Sequence, residues 1–277
     1  MTHAISRRHF LGSAAGLAAV AKLGADPLGM PIGCQVYPVS KELLQDFAGT
    51  LKQLAAIGYK NIEMCSPSGY KWEPLALMKT ADIKKTINGA GLKCESSHFQ
   101  ARELRDSLDE RIAFAKELGL KQMVLSTFGL PNDAKMADWG KAADDLNKVG
   151  EKVQKAGMQL GFHNHNFEFK EIDGVLVYDF LMTRFDPKLI KMQFQVGVIN
   201  QGYEAATYFT KYPGRFISIH LSDYSTTEKK QAPIGQGVVD WKKLFAAAKT
   251  GGVKNYFVEM NMDALKASYP FLHDLKV

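Results

Sequence analysis

The chain has few of the residues that build disulfide scaffolds and structural metal clusters. Only three cysteines, Cys34, Cys65 and Cys94, occur among its 277 residues, and none stands in a C-x-x-C spacing. This odd number and wide spacing argue against a disulfide framework and against a zinc ribbon. We expect three packed thiols that line the core, with a Cys65–Cys94 disulfide as the alternative in an oxidising compartment.

The net positive charge is also small when residues 1–25 are left out of the count. The formal net charge is +6, from 35 basic and 29 acidic residues. Residues 1–25 hold Arg7, Arg8 and Lys22 and no acid, which leaves 32 basic and 29 acidic residues, or +3, in the rest. Proteins that bind nucleic acid concentrate Lys and Arg, and no such block occurs elsewhere. We therefore expect no nucleic-acid partner.

The apolar run near the N-terminus is short. Residues 11–20 (LGSAAGLAAV) are too few for a stable transmembrane span, so no stable membrane anchor is expected. They follow residues 6–11 (SRRHFL), which have the twin-arginine pattern S-R-R-x-F-L. A basic segment before a short apolar run is typical of a signal peptide. We interpret residues 1–25 as a twin-arginine signal, cleaved near Ala25, and expect a periplasmic or otherwise exported protein.

After this segment, strand-like and helix-like segments alternate. Short apolar runs predict eight strands, at 32–37, 60–64, 92–98, 121–126, 158–164, 190–196, 215–221 and 254–260. Amphipathic helices lie between them, as in residues 40–57. A glycine ends the helix just before five of the strands, at Gly58, Gly91, Gly119, Gly157 and Gly252. With a last helix over 264–276, the pattern predicts a single (β/α)8 TIM barrel over residues 31–277. A doubly wound sheet would need a Gly-rich loop after the first strand, which is absent.

Histidines collect at the ends of the predicted strands. His98, His163, His165 and His220 each lie at or just past a C-terminal strand end, and the last strand ends at Glu259. The C-terminal strand ends of a TIM barrel meet at one rim, where its active sites lie. We therefore expect these side chains to share one cavity and to form a metal site.

Longer motifs point to a family. The segments 58–63 (GYKNIE), 161–169 (GFHNHNFEF), 211–223 (KYPGRFISIHLSD) and 234–259 (IGQGVVDWKKLFAAAKTGGVKNYFVE) occur in this order. They resemble the xylose isomerase-like TIM-barrel family, and more narrowly its secreted sugar phosphate isomerase/epimerase group. The resemblance covers nearly all of residues 31–277.

The resemblance implies one divalent metal ion at the barrel mouth. Its four ligand positions, on strands five to eight, hold His163, Gln195, His220 and Glu259 here. Gln195 replaces the Asp of the family pattern and removes one negative charge from the site. Two imidazoles with a single carboxylate favour Mn²⁺ or Zn²⁺, with Mg²⁺ and Co²⁺ as alternatives.

The resemblance also implies proton abstraction next to a carbonyl of a small sugar. Glu259 is the expected catalytic base, and His163 is a second catalytic candidate because it replaces the other carboxylate base of the epimerases. Isomerisation of a keto sugar, or elimination from a 3-keto sugar or glycoside, therefore fits better than two-base epimerisation. We predict substrate contacts from five side chains: Glu63, His98, Asn164, His165 and Trp72. Asp223 is expected to orient His220 or the following loop.

Two other functions remain open. One is a non-catalytic periplasmic sugar-binding barrel whose metal site degenerated at Gln195. The other is a DNA-repair barrel like endonuclease IV, which needs more metal ligands and a basic groove. The sequence leaves open which sugar is bound, whether it carries a phosphate, and the oligomeric state.

Overall fold

Eight short strands close into one parallel barrel in the computed structural model, which describes residues 26–277. In chain order the barrel strands are Gly33–Gln35, Asn61–Cys65, Lys93–Phe99, Gln122–Leu125, Gln159–His163, Ile190–Gln195, Phe216–Leu221 and Asn255–Val258. Each pairs with its neighbour in the chain, and the first pairs with the eighth. This confirms the predicted TIM barrel and each of its eight strands. The predicted signal peptide lies outside the described residues.

Helices surround the barrel and follow the strands. Within the described part of the chain the α-helices are Ser40–Gln45, Phe47–Ile57, Thr80–Gly89, Ala101–Asp106, Leu108–Leu118, Met136–Lys155, Val177–Arg184, Ala205–Lys211, Trp241–Gly251 and Met262–Asp274. The helix expected over 40–57 is divided at Asp46, which leaves the helical conformation and caps the second helix by accepting a hydrogen bond from Gly49 N. None of the described helices is both long enough and apolar enough to span a membrane.

The glycines expected at helix ends are confirmed by the backbone. All five have positive φ angles, from +80° at Gly91 to +127° at Gly58. At Gly252 a side chain would also clash with the backbone, since a Cβ atom would lie 3.0 Å from the Cα atom of Gly214. These turns return the chain from each helix to the start of the next strand.

Two short hairpins extend the loops above the barrel. Glu171–Ile172 pairs with Val175–Leu176 after the fifth barrel strand, and Asp223–Ser225 pairs with Lys230–Ala232 after the seventh. Both lie on the rim where the strands end, the usual position of binding loops in this fold. They therefore border the region in which the histidines were expected.

The three cysteines are packed in the core, as expected. All three are buried free thiols, and burial raises the pKa of each. A buried, protonated thiol is a poor nucleophile and a poor metal ligand. The cysteines therefore contribute to packing, and the alternative Cys65–Cys94 disulfide is not formed.

Candidate active site

A cavity of about 200 Å³ opens at the C-terminal ends of the barrel strands. Side chains at or beyond strand ends line it: Tyr37, Tyr70, His98, Gln100, Ser126, Thr127, His163, His165 and Glu259. A larger cleft, of about 600 Å³, lies outside the barrel and is lined mainly by aliphatic and surface Lys and Asp side chains. The smaller cavity is the candidate active site because imidazoles and a carboxylate converge there.

Three buried histidines form the base of this site. Ring nitrogens of His98, His163 and His220 all lie within 4.8 Å of one another. The ring centroids of His163 and His220 are 4.4 Å apart, and the rings of His98 and His220 are stacked. His165 adjoins them, with its ring 4.8 Å from that of His163. The barrel thus brings together the four histidines that the sequence placed at strand ends.

The four imidazoles differ in charge. Burial lowers the pKa of His98, takes that of His163 well below its ordinary value, and lowers that of His165 to about 4. These three rings are therefore neutral near pH 7 and keep a free lone pair. Burial also disfavours charge on His220, but Glu259 and Glu63 outweigh it and raise the pKa of His220 to about 10.

Glu63 is one of the two carboxylates that raise the pKa of His220. It lies beneath the cavity with no exposed surface, and its carboxylate accepts hydrogen bonds from Gln35, Ser96, Gln193 and His220. Burial alone would raise the pKa of Glu63, but His98, His220 and the hydrogen bonds from His220 and Ser96 lower it to about 2. The structure therefore places Glu63 behind His220 and away from the cavity wall where it was expected to contact a sugar.

Glu259 is the other carboxylate that raises the pKa of His220, and it does reach the cavity. Its Oε2 atom lies 3.2 Å from Nδ1 of His220, and 19% of its side chain is exposed. Burial would raise its pKa, but His220, His98 and the hydrogen bond from Gln195 lower it. Glu259 is therefore an ionised carboxylate on the wall of the cavity.

Gln195 is held differently from a metal ligand. Its side-chain oxygen accepts a hydrogen bond from Gly197 N at 3.1 Å and approaches Ser222 Oγ at 3.4 Å. Its amide nitrogen donates to Glu259. In this arrangement the amide oxygen faces the backbone turn and the donor group faces the site, so metal binding through Gln195 requires the amide to rotate.

Two other residues that were expected at the site, Asn164 and Asp223, hold the backbone around it. Asn164 is buried, and its side-chain oxygen accepts a hydrogen bond from Gln195 N, which ties the fifth strand to the sixth. Asp223 accepts hydrogen bonds from the backbone of residues 235, 237 and 239 and from Trp241 Nε1. Of the two alternatives for Asp223, these contacts fit orientation of the loop and not of His220.

The aromatic surface of the cavity comes from Tyr37 in place of Trp72. Trp72 is only 5% exposed and stacks behind Tyr37, a residue that is 52% exposed and lines the cavity. Sequence reasoning did not assign Tyr37 to the site, nor Tyr70, Gln100, Ser126 and Thr127. Their position at or just beyond strand ends is the signal that identifies them.

The donor set fits a divalent metal ion. Nδ1 of His163 and Nδ1 of His220 are buried and have no hydrogen-bond partner of good geometry. Such orphaned polar atoms cost free energy unless something binds them. With a third imidazole nearby and Glu259 beside His220, the three histidines are able to hold a metal of the kind that prefers nitrogen ligands.

A TIM barrel with histidines and a carboxylate gathered at its mouth has the arrangement of a barrel enzyme's active site. The description "Xylose isomerase-like TIM barrel" belongs to the family model that matches residues 17–270. The chain belongs to this family, as its motifs indicated.

Named relatives fall in the same group. Inosose dehydratase of Lacticaseibacillus casei is 24% identical over 92% of this chain and 94% of its own length. Inosose dehydratase of Geobacillus thermodenitrificans is 25% identical over 71% of this chain and 78% of its own length. A sugar phosphate isomerase/epimerase structure from Parabacteroides distasonis aligns with a TM-score of 0.75 at 24% identity, over 95% of this chain and 98% of that one. These relatives are thus named inosose dehydratases, and the structural neighbour has the same barrel fold.

Proposed function

We propose that the protein removes a proton next to the carbonyl of an uncharged keto sugar or cyclic keto polyol, leading to elimination of water or to isomerisation. The observation that carries this proposal is the position of Glu259. Of the nine described residues that line the cavity, it alone has a carboxylate, and that carboxylate stays ionised because the charged ring of His220 lies beside it. The relatives named inosose dehydratases favour elimination.

The cavity lining supports an uncharged substrate. It contains tyrosine, glutamine, serine, threonine and histidine side chains, which donate and accept hydrogen bonds as sugar hydroxyls do. No lysine or arginine is among these lining residues, although proteins usually bind phosphate with such groups. A sugar phosphate is therefore the less suitable substrate.

A metal ion is part of the proposal. His163, His220 and Glu259 would hold it, with His98 as the third imidazole of the cluster, and we propose Mn²⁺ or Zn²⁺ as the ion, with Mg²⁺ and Co²⁺ as alternatives. When bound, a divalent metal supplies polarisation of the substrate carbonyl, which makes the neighbouring C–H bond more acidic.

The protein's own side chains carry the proton. Glu259 accepts it from the carbon next to the carbonyl, which an ionised carboxylate at the cavity wall is suited to do. In elimination, the carboxyl group returns that proton to the departing hydroxyl as its C–O bond breaks, and water leaves. The neutral rings of His98 and His165 bind substrate hydroxyls and fix which C–H bond faces Glu259.

A sugar-binding barrel without catalysis is the second candidate. The orientation of Gln195 favours it, because the amide presents a donor to Glu259 where the family pattern has a negatively charged ligand. A protein of this kind would bind sugar without exchanging its protons.

The test uses the metal-loaded protein with inosose and other neutral keto sugars in D₂O. We expect deuterium at the carbon next to the carbonyl, or loss of water, detected by NMR and mass spectrometry. Glu259→Gln should slow this by about 10²- to 10⁴-fold, while Glu228→Gln, which changes an exposed carboxylate, should not. Unchanged exchange in Glu259→Gln removes Glu259 as the base. Sugar binding without any exchange in the wild-type protein supports the second candidate.

We also propose that the protein is exported through the twin-arginine route, on the basis of residues 6–11 (SRRHFL). Replacing Arg7 and Arg8 together by lysine should retain the protein in the cytoplasm, as measured by cell fractionation. Equal amounts of both forms outside the cytoplasm would contradict this proposal.

A further inference from the structure

We propose that Glu63 supplies the second negative charge of the metal site and acts on it through His220. This inference rests on the metal that the proposed function includes. The four expected ligand positions carry a single carboxylate because Gln195 is uncharged. Glu63, on the second barrel strand, lies directly behind one of those ligands, His220 of the seventh strand.

The hydrogen bond between Glu63 and His220 determines which ring nitrogen of His220 can bind a metal. Nε2 of His220 lies 2.5 Å from Oε2 of Glu63, so the nitrogen there carries the proton and donates it to the carboxylate. The other nitrogen, Nδ1, faces Glu259 at 3.2 Å and has no hydrogen-bond partner of good geometry. Nδ1 is therefore the atom left for a metal, which on binding displaces the proton that the charged ring carries there.

The remaining contacts of Glu63 keep its charge in place. Ser96 and Gln193 both donate to Oε1, at 2.5 and 2.8 Å, and Gln35 donates to Oε2 at 3.3 Å. A carboxylate with donors on both oxygens stays ionised and cannot rotate away from His220. Carboxylates behind a metal-bound histidine orient its ring and make it a stronger ligand.

Glu63 works indirectly, as a positioning residue. It has no exposed surface and is not among the residues that line the cavity, so a substrate does not touch it. The hydrogen bond to His220 places the negative charge of Glu63 on the side of that ring opposite the metal, and Nε2 of His98 lies 3.2 Å from the same Oε2 atom. In this way the barrel compensates for the missing carboxylate at Gln195.

The first test measures metal affinity in place of activity. Co²⁺ is bound in competition with a chelator, and the visible spectrum reports its ligand geometry. In Glu63→Gln the amide oxygen stays with the donors Ser96 and Gln193, which turns the NH₂ group toward Nε2 of His220 and moves the ring proton to Nδ1. We expect about 10- to 100-fold weaker binding and an altered spectrum.

Two further variants separate charge from packing. Ser218→Ala removes a hydroxyl of the same buried layer that accepts a hydrogen bond from Gln193 and makes none with Glu63 or His220, so Co²⁺ binding should match that of the wild-type protein. Gln195→Asp returns a carboxylate to the site itself. It should tighten Co²⁺ binding more in the Glu63→Gln background than in the wild-type protein, because the two charges substitute for each other.

The outcomes distinguish this inference from the proposed function. Wild-type affinity and spectrum in Glu63→Gln overturn the role of Glu63 and leave the metal in place. A wild-type protein that binds no Co²⁺, Mn²⁺ or Zn²⁺ overturns the metal itself and the inference with it.

If Glu63→Gln does not fold, the wild-type protein still decides the question. With ¹⁵N-labelled histidine and bound Zn²⁺, NMR should show His220 ligated through Nδ1 and protonated at Nε2. Ligation through Nε2 overturns the proposal.

Discussion

Glu63 and Glu168 are equally buried, yet they carry opposite charge states. Neither has exposed surface. Glu63 lies inside the barrel among four hydrogen-bond donors, and its pKa falls to about 2. Glu168 lies in the loop after the fifth strand, where the backbone N–H of His165 donates to Oε2 and Oε1 has no partner. Burial raises the pKa of Glu168 to about 8, so it is mostly protonated at neutral pH.

The comparison shows that partners, and not depth, determine the charge of a buried carboxyl group. Desolvation is the largest influence on both residues, and it favours the protonated form in both. Donors and an imidazolium reverse its effect at Glu63, and the single donor at Glu168 does not. Glu63 is thus an electrostatic part of the site, whereas Glu168 holds the backbone of His165 in position.

The largest effect is expected from removing the partnered charge. Glu63→Leu leaves His220 Nε2 and Ser96 without their acceptor in the barrel interior, and Gln193 keeps only Ser218. Because breaking a buried pair strands the remaining groups, the free energy of unfolding should fall by about 3–5 kcal/mol. Urea denaturation of the metal-free protein at pH 7 measures it. A loss below about 1 kcal/mol would mean that the network relaxes around leucine, and the contrast between the two glutamates would disappear.

The next largest effect on stability is expected at Glu168, whose carboxyl group has a single hydrogen-bond donor, and this effect depends on pH. The folded pKa of Glu168 is raised, so its contribution to stability is fully present below the unfolded pKa of 4.5 and is lost as pH rises to about 8. Glu168→Gln imitates the protonated form and should be more stable than wild-type protein at pH 8, by a few kcal/mol at most, with little difference at pH 4.5.

The quantity to measure at each pH is the difference in free energy of unfolding between Glu168→Gln and the wild-type protein, since the titration of His220 is common to both. Glu171→Gln is the matched control, because that residue is exposed in the same loop. An equal gain at pH 4.5 and pH 8 would show that the glutamine improves packing and that Glu168 is not protonated in the fold.

The fold was predictable because helix and strand periodicities and five helix-ending glycines repeat along the chain. The same repetition placed His98, His163, His165, His220 and Glu259 at one rim. The parts of the site that were not predictable depend on contacts between strands.

Three residues illustrate this. The role of Glu63 follows from meeting His220 across the barrel, 157 residues along the chain. The orientation of the Gln195 amide depends on a backbone turn at Gly197. The burial of Trp72 depends on where the loop after the second strand packs. These contacts cannot be predicted from residue type and position along a strand.

The smallest effect comes from the aromatic pair at the mouth, where exposure again separates two similar residues. Tyr37 is half exposed on the cavity, and Trp72 is buried behind it. Stacking on an aromatic face contributes about 1 kcal/mol, so Tyr37→Ala should raise KM for the substrate by about fivefold and change kcat little. Tyr37→Phe should keep most of the affinity, and Trp72→Phe should change KM less than Tyr37→Ala does. The reverse order would mean that the loop moves on binding and brings Trp72 to the sugar, in which case burial in the free protein does not determine which ring makes the contact.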